Sequence, residues 1–293
     1  MNAIQTEGLT KFYGSSRGIL DLDLTVQEGE FYGFIGPNGA GKSTTIRTLL
    51  GLIRKTRGSA RVLGKDIAKE KEQILAETGY LPSEAVFYPD MRGRDLIRLS
   101  ADLHRKDCKK TSEELCERLQ LDPSRRIGEL SFGNRKKVAV ICALQHNPRL
   151  CILDEPTGGL DPLMQREFFE ILKERNRQGM TVFLSSHILS EIQRFCSRAA
   201  IIREGRIIAS GSVEELARTN AKRISIRGSF DPSGLPDVRD LQRSDDTVSF
   251  LYGGDINLLL ARLGKDPILD LTISESDLEE IFLHYYTKGE EQP

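Results

Sequence analysis

One stretch of the sequence combines residue types that bind phosphate groups. It consists of Gly36, Pro37, Asn38, Gly39, Ala40, Gly41, Lys42 and Ser43, followed by Thr44. The pattern G-x-x-x-x-G-K-[ST] is matched at every required position, and in such a loop backbone N–H groups surround phosphate oxygens. We expect the Lys42 ammonium to lie between the β- and γ-phosphates and the Ser43 hydroxyl to bind Mg²⁺. The alternative is an ordinary glycine turn before a helix.

The segments on either side of this loop favour phosphate binding. Residues 31–35 predict a buried strand, and residues 44–52 predict a helix with an apolar stripe. The loop therefore lies between a strand and a helix N-terminus, where the helix dipole attracts an anion.

Two adjacent carboxylates at the end of another apolar strand point to metal binding and base catalysis. The strand covers residues 150–153, and Asp154 and Glu155 follow it. Open α/β sheets bind ligands at the carboxyl ends of their strands, and neighbouring strand residues point in opposite directions. We therefore expect Asp154 to bind Mg²⁺ and Glu155 to act as general base for an attacking water. The alternative is a strand that merely stops at charged residues.

Three further residues are candidates whose role the residue pattern leaves open. Tyr13 could stack on an adenine base or pack against a sheet. His187 follows an apolar strand at residues 180–184 and could sense a γ-phosphate or cap a helix. Ser131 is a predicted helix N-cap, which is either an ordinary cap or a second helix end that binds phosphate. The basic residues 135–137 that follow it predict a solvated face.

The elements that must position these residues form an α/β pattern interrupted by a helical insertion. Residues 90–145 carry helical periodicity and little strand signal. Outside the insertion, the pattern predicts strands at 3–7, 19–26, 31–35, 78–82, 150–153 and 180–184, hairpins at 58–67 and 199–209, and a helix at 162–177.

Composition excludes several classes of protein. The 293 residues have a formal net charge of −1, which gives no global attraction to nucleic acid or anionic lipid. No apolar run approaches the ~18 residues of a membrane helix, and no signal region precedes the first strand. The five cysteines show no C-x-x-C spacing, so we expect free thiols. From residue 222 to the end, 8 Lys/Arg face 14 Asp/Glu, and this shift predicts a domain boundary near residue 221.

The order of these motifs resembles that of the ATP-binding cassette (ABC) ATPases, over residues 1–221. The matched positions are Tyr13 as the adenine-stacking aromatic, Gly36–Ser43 as Walker A, Leu130–Asn134 as the signature loop, Asp154 and Glu155 as the end of Walker B, Gly159–Asp161 as the D-loop and His187 as the switch histidine. The resemblance implies an α/β fold. Its parts are a P-loop NTPase core with a mostly parallel sheet, an antiparallel β subdomain and a helical subdomain at about 84–145.

The resemblance also implies a pair of cassettes that close around ATP. Each nucleotide is then bound by Walker A of one cassette and by Ser131 and Gly133 of the other, with Asp161 at the same interface. Glu155 would polarise the attacking water, and His187 would hold that water and the γ-phosphate. The expected partners are a second cassette, identical or a paralogue, and a separate integral membrane permease.

The sequence departs from the family pattern at three places. Ser83 stands where the family usually has the Q-loop glutamine, so we expect it as an Mg²⁺ ligand. Because serine is too short to span the same distance, either Glu84 or a water substitutes, or coupling is looser. The signature loop has Phe132 and Asn134 where Gly and Gln are commoner, and Gly158 stands where the D-loop often has Ser.

In the segment after residue 221, the terminal stretch Leu278–Tyr286 resembles the C-terminal extension of ATPases that serve drug, peptide or antibiotic export permeases. We expect a 1–221 ATPase domain and a small α+β domain at 222–293. Its predicted strands are 224–226, 248–252 and 268–273, and its predicted helices are 256–263 and 277–286. A dimer-stabilising appendage with no regulatory role is the alternative.

The function implied by the resemblance is that of an ATP-hydrolysing subunit that powers export through the permease. Its expected ligands are ATP and Mg²⁺, and its expected location is cytoplasmic, peripheral on the inner face of the cell membrane. Residues 87–89 are candidate permease contacts, unless they only pack the helical subdomain on the core.

Two other functions remain as alternatives at this stage. One is a non-transport ABC ATPase that acts on a ribosome or nucleic acid. Such proteins usually carry two cassettes or a long coiled-coil insertion, and the near-neutral charge argues against a nucleic-acid partner. The other is a P-loop GTPase or kinase, which the signature loop, the D-loop and His187 disfavour.

Overall fold

The chain forms two compact units, Met1–Ser212 and Val213–Pro293, in a computed structural model. The structure describes residues 1–14, 16–217, 222–244, 246–264 and 267–275. The units divide at Val213, whereas the sequence placed the domain boundary between residues 221 and 222. The helix predicted at 277–286 lies outside the described residues.

The first unit alternates strands and helices. In chain order it contains β1 (Asn2–Tyr13), β2 (Ser16–Gln27), β3 (Phe31–Ile35), α1 (Lys42–Leu49), β4 (Arg57–Val62), β5 (Lys65–Asp66), α2 (Lys71–Glu77), β6 (Thr78–Leu81), α3 (Gly93–Leu103), α4 (Lys109–Arg118), a 3₁₀ turn (Ile127–Glu129), α5 (Phe132–Leu144), β7 (Leu150–Asp154), α6 (Pro162–Arg177), β8 (Thr181–Ser186), α7 (Leu189–Phe195), β9 (Arg198–Arg203) and β10 (Arg206–Ser212).

A six-stranded sheet in the order β10-β9-β3-β8-β7-β6 leads into the predicted phosphate loop, Asp154, Glu155 and His187. Within this sheet, adjacent strands from β9 to β6 run parallel, and only β10 is antiparallel to its neighbour. Strands β3, β7 and β8 are buried throughout, as their near-continuous apolar sequences predict for strands covered on both faces. Their carboxyl ends meet at one edge, so the residues that follow β3, β7 and β8 are brought together there.

A second sheet is antiparallel, in the order β2-β1-β4-β5, and confirms the predicted β subdomain. Tyr13 is the last residue of β1 rather than part of a turn between two shorter strands. The two sheets share one hydrophobic core with α1. Residues from all three elements belong to it, among them Leu22, Phe34, Ile46 and Phe183.

The predicted helical insertion is confirmed by α3, α4 and α5. The prediction of a solvated basic face at residues 135–137 was wrong for Lys136 and Lys137, which are only 2% and 9% exposed. The reason is tertiary packing: α5 is buried on nearly every side from Lys136 to Leu144, so its lysines are largely shielded from water.

The second unit is a small α+β fold. It contains α8 (Val213–Ala217), β11 (Lys222–Gly228), β12 (Val238–Ser244), β13 (Thr247–Tyr252), α9 (Ile256–Leu263) and β14 (Ile268–Glu275). The antiparallel sheet has the order β12-β13-β11-β14, with a core that includes Ile224, Phe250 and Leu259. Strand β12 was not predicted because its exposed sequence lacks apolar alternation. Within the described ranges, no helix is both long and apolar enough to span a membrane.

Candidate active site

The predicted phosphate loop connects β3 to α1 and opens into a cavity of about 340 Å³. Gly41 is the N-cap of α1 and has φ +110°, a conformation that side-chain-bearing residues rarely adopt. Helix α1 therefore starts at Lys42, and its first N–H groups have no partner within the helix. The cavity is lined by Tyr13, Gly18, Pro37, Asn38, Gly39, Gly41, Lys42, Ser43, Thr44, Ser83 and Glu155.

Two predicted loop residues shape the cavity without lining it. The Gly36 carbonyl accepts a hydrogen bond from the Lys42 ammonium at 2.6 Å. Ala40 is buried, and its backbone N–H donates to the Pro37 carbonyl at 3.2 Å. These contacts hold the loop in a closed turn beside the cavity.

The ammonium of Lys42 lies at the centre of the site. Its Nζ is 3.0 Å from Oε1 of Glu155 and 3.1 Å from the carbonyl oxygen of Pro37. The Lys42 side chain is only 4% exposed. A buried ammonium without an anion nearby is unfavourable, so the Glu155 carboxylate stabilises it in this state. A phosphate entering the cavity would compete with Glu155 for the same cation.

Glu155 joins the phosphate loop to the predicted switch histidine. Its Oε2 is 3.4 Å from Nδ1 of His187, on the opposite side of the carboxylate from Lys42. Burial disfavours the ionised form, but Lys42 and His187 outweigh this effect and lower the pKa of Glu155. The carboxylate is therefore ionised at neutral pH, as a group that takes a proton from water must be. The structure brings Lys42, Glu155 and His187 together, although long stretches of sequence separate them.

Asp154 has a different environment from Glu155, as expected for neighbours at a strand end. It is fully buried, and its Oδ1 accepts a hydrogen bond of 2.7 Å from the Ser185 hydroxyl. Its Oδ2 is buried with no hydrogen-bond partner among the described residues. An unpartnered carboxylate oxygen fits a hard cation such as Mg²⁺, which in nucleotide sites takes one or two protein oxygens besides phosphates and water. Correspondingly, the described part of the chain has no cluster of three or more His, Cys, Asp or Glu that would bind a metal by itself.

Tyr13 and Ser83 lie at the margins of the same cavity. The Tyr13 side chain is half exposed, with the Lys11 ammonium 5.0 Å from the ring centroid. Ser83 follows β6 by two residues, and its carbonyl oxygen accepts a hydrogen bond from Lys136 at 2.9 Å. Of the residues 87–89, Tyr88 is largely exposed, whereas the Pro89 carbonyl accepts a hydrogen bond from Gly128 of the helical insertion.

The predicted signature and D-loop residues occupy a separate cavity of about 350 Å³. This second cavity is lined by Ser131, Phe132, Gly133, Asn134, Lys137, Gly159, Leu160 and Asp161. Ser131 caps α5 by accepting from the Asn134 N–H at 3.3 Å, and Asp161 caps α6 by accepting from the Met164 N–H at 3.0 Å. The ordinary cap anticipated for Ser131 is therefore present. Its hydroxyl hydrogen is still available to a ligand, because a hydroxyl accepts and donates at once.

Close approach of two backbones requires the glycines of this second cavity. A Cβ on Gly133 would lie 2.6 Å from the carbonyl oxygen of Gly159. A Cβ on Gly159, which has φ +82°, would lie 2.2 Å from the Phe132 ring. The signature loop and the D-loop thus pack directly on one another, with half-exposed Phe132 covering Gly159.

Sequence reasoning missed two residues that contact the Asp154–Glu155 segment. Ser185 lies in the buried strand β8, and its hydroxyl and carbonyl both contact the Asp154–Glu155 pair. Lys136 donates to backbone carbonyls around the site, and burial lowers its pKa to about 8 despite the nearby carboxylates Asp154 and Glu155. The polar residues that end the apolar β8 could have revealed Ser185. No local signal marked Lys136.

Comparisons with known proteins match both the sequence and the fold. The model of the family described as ABC transporter matches residues 19–158. The bacitracin transport ATP-binding protein BcrA of Bacillus licheniformis is 35% identical, and the similarity covers 96% of each chain. The linearmycin resistance ATP-binding protein LnrL of Bacillus subtilis (strain 168) is 29% identical over 96% of this chain and 97% of its own.

A solved structure described as an ATP-binding subunit of an ABC transporter has the same fold as most of the chain. Its TM-score is 0.69 at 31% identity, over 74% of this chain and 92% of its own. The matching portion corresponds in extent to the unit that contains both cavities.

Proposed function

The chain belongs to the ABC transporter family of ATP-binding proteins, and from this premise we propose that it hydrolyses ATP to power export through a separate membrane permease. The observation that carries the proposal is the joining of Lys42, Glu155 and His187 beside the phosphate loop. These three side chains supply a phosphate-binding cation, a general base and a group that orients water.

The nucleotide would enter the cavity beside Lys42. Its β-phosphate would accept hydrogen bonds from the loop N–H groups at the start of α1, and Tyr13 would stack on the base. Lys42 would then exchange the Glu155 carboxylate for the γ-phosphate. This exchange frees Glu155 to accept a proton or hydrogen bond from the attacking water, while His187 holds the same water from its other side.

Mg²⁺ is the metal that the oxygen donors of the site fit. Ser43 and Asp154 would hold it, with the Ser185 hydroxyl orienting Asp154. Ser83 is a further candidate ligand through its hydroxyl, while its backbone carbonyl accepts from Lys136. When bound, the metal would neutralise phosphate charge.

The second cavity would complete the site of another copy. We assign Ser131, Gly133 and Asp161 to the nucleotide bound by a second cassette, since they lie in a cavity separate from that of Lys42. In a symmetric dimer each chain would offer both surfaces, so two equivalent sites form at once.

The permease and the direction of transport are suggested by the relatives. The names of these relatives refer to bacitracin transport and linearmycin resistance, which favours export of a peptide or other antibiotic over action on a ribosome or nucleic acid. The exposed Tyr88 beside the helical insertion is a candidate contact for the permease. Such a partner would place the chain at the inner face of the membrane.

Steady-state ATP hydrolysis by the Glu155→Gln variant tests this proposal. Removal of the general base should lower kcat by about 10²–10⁴-fold while ATP binding is retained. Full activity in the variant would refute the assignment of Glu155.

The matched control is Glu77→Gln. Glu77 is a comparably exposed carboxylate that also pairs with a lysine, Lys65, but it lies on α2 outside both cavities. The Glu77→Gln substitution should leave kcat for ATP hydrolysis unchanged. Co-purification with a membrane protein encoded beside this chain, and stimulation of ATP hydrolysis by its substrate, tests the permease assignment separately.

A further inference from the structure

The helix that begins at the signature loop sends one lysine into the interior of the protein. Lys136 lies on the second turn of α5 and is 2% exposed, although lysine is among the residues most rarely buried. Its ammonium donates to three backbone carbonyls: those of Pro82 at 3.0 Å, Ser83 at 2.9 Å and Glu155 at 3.4 Å. An ammonium has three donors, so each of its hydrogens has an acceptor here.

These carbonyls come from two different loops. Pro82 and Ser83 follow β6 at the predicted Q-loop, and Glu155 follows β7. A single side chain of the signature helix therefore ties together the loop that lines the phosphate cavity and the residue that contacts Lys42. The carboxylates Asp154 and Glu155 attract the buried ammonium and offset part of its desolvation.

Glu155 is the member of this group with the least usual backbone. Its φ of +48° lies in the left-handed region, which residues with a side chain adopt at an energetic cost. Its N–H donates to the Ser185 carbonyl at 3.1 Å, and its carbonyl accepts from Lys136. The two peptide groups that flank the Glu155 side chain are thus restrained by β8 on one side and by α5 on the other.

We propose that Lys136 is a positioning residue that sets the place of the Glu155 carboxylate and of the Ser83 backbone relative to the signature helix. The proposal rests on the proposed ATP hydrolysis. A shift of α5 would be passed directly to Glu155, because the ammonium joins them without an intervening residue. Since the Ser83 side chain is short, the Q-loop would be held to the signature helix through its backbone instead.

Lys136→Met and Lys136→Gln are the variants that test this role. Methionine has a similar length and no donor, whereas glutamine keeps two N–H donors on a shorter side chain. Misplacement of a catalytic group by about 1 Å typically costs on the order of 100-fold in rate, so Lys136→Met should lower kcat by about that factor. KM for ATP should stay within about 2-fold, because the loop that binds phosphate is not touched. Lys136→Gln should recover part of the lost kcat.

The control is Lys106→Met. Lys106 also belongs to the helical insertion and also donates to a backbone carbonyl, that of His146 at 2.7 Å, but it lines neither cavity of the proposed site. It should change kcat by less than about 2-fold. A purely structural role of Lys136 would lower stability and raise KM without a selective loss of kcat. Lys136→Met with wild-type kcat would overturn the proposal, and so would a variant in which KM alone changes.

A second measurement separates this proposal from the proposed function. Amide hydrogen exchange of the nucleotide-free chain should become faster at residues 83–84 and 154–155 in Lys136→Met and stay unchanged there in Lys106→Met. Unaltered exchange at both segments in Lys136→Met would overturn the positioning role. A wild-type chain that does not hydrolyse ATP would refute the proposed function while leaving the exchange result to decide on Lys136. If Lys136→Met does not fold, Lys136→Gln decides: wild-type kcat and wild-type exchange in that variant would overturn the proposal.

Discussion

The two cavities of the first unit differ in how their polar groups are satisfied. In the cavity beside the phosphate loop, Lys42, Glu155 and His187 satisfy one another within a single chain. In the signature cavity, Ser131 and Asp161 cap their own helices and face outward as exposed residues. The first cavity is self-paired and must exchange partners when a phosphate enters. The second cavity is shaped by the close packing of the signature loop on the D-loop, and its Ser131 and Asp161 are exposed on the surface.

Under the proposed function, this difference predicts which part of catalysis each cavity would perform. A buried ion pair that can swap partners suits the reacting end of a nucleotide, where charge moves during the reaction. A helix end with a glycine in its first turn suits a phosphate that arrives from another chain, because Gly133 has no side chain to obstruct the approach. The first two of the following tests separate the two cavities, and the third concerns contacts outside both. All three are ordered from the largest expected effect to the smallest.

The largest effect should come from Lys42→Ala, which removes the cation of the first cavity. Loss of one partner of a desolvated charge pair costs about 2–5 kcal/mol, so the Kd for ATP should rise on the order of 100-fold. Equilibrium binding of a fluorescent ATP analogue would measure this. Lys173→Ala is the matched control, since that lysine pairs with Glu170 on α6 outside the site. An unchanged Kd for ATP in Lys42→Ala would contradict the proposed difference between the two cavities.

An intermediate effect should come from Gly159→Ala in the second cavity. The added methyl would meet the Phe132 ring, so the signature loop must shift. We expect kcat to fall by about 10-fold or more with little change in the Kd for ATP of a single chain. Gly179→Ala is the matched control, because Gly179 has a similar positive φ of +102° and open space around it. That control should lose about 1–2 kcal/mol of stability and keep its kcat.

The smallest effect concerns an ion-pair network outside both cavities. Glu77 accepts hydrogen bonds from Lys65 at 2.6 Å and Arg149 at 2.9 Å, and the Lys65 hydrogen bond is the main cause of its lowered pKa. A carboxylate with a lowered folded-state pKa stabilises the fold above its unfolded-state pKa, and the contribution is lost as pH falls through the folded value.

Glu77→Gln should therefore lower stability at pH 7 by about 0.2–1 kcal/mol per exposed pair. The difference from wild type should shrink below pH 4.5, the ordinary value for this group, and vanish in strong acid. Urea unfolding at pH 7 and pH 3 measures the change. A loss of equal size at both pH values would contradict the electrostatic explanation.

Local patterns were enough to predict the edge of the sheet where the site lies. The apolar runs of β3, β7 and β8, each followed by polar residues, predicted a mostly parallel core, and the structure has one. The phosphate loop could also be predicted from a local pattern, because its turn and the start of its helix depend on adjacent residues. The helical insertion also followed from periodicity alone.

What the sequence could not predict depends on contacts between distant segments. A lysine on an amphipathic helix is normally solvated, and only the packing of α5 against the loops after β6 and β7 buries Lys136. The contact of Phe132 with Gly159 likewise requires α5 and α6 to begin side by side. In the second unit, β12 is exposed along most of its length, so its pairing with β13 left no hydrophobic signature.

The central claim is that the two cavities act on one nucleotide only when they come from different chains. Mixing two inactive variants, Lys42→Ala and Gly133→Asp, tests it by single-turnover ATP hydrolysis. In a mixed dimer one site carries both defects and the other carries none, so random pairing should restore about a quarter of the wild-type sites. If the mixture is no more active than the two variants measured separately, the cavities do not cooperate between chains and the account is contradicted.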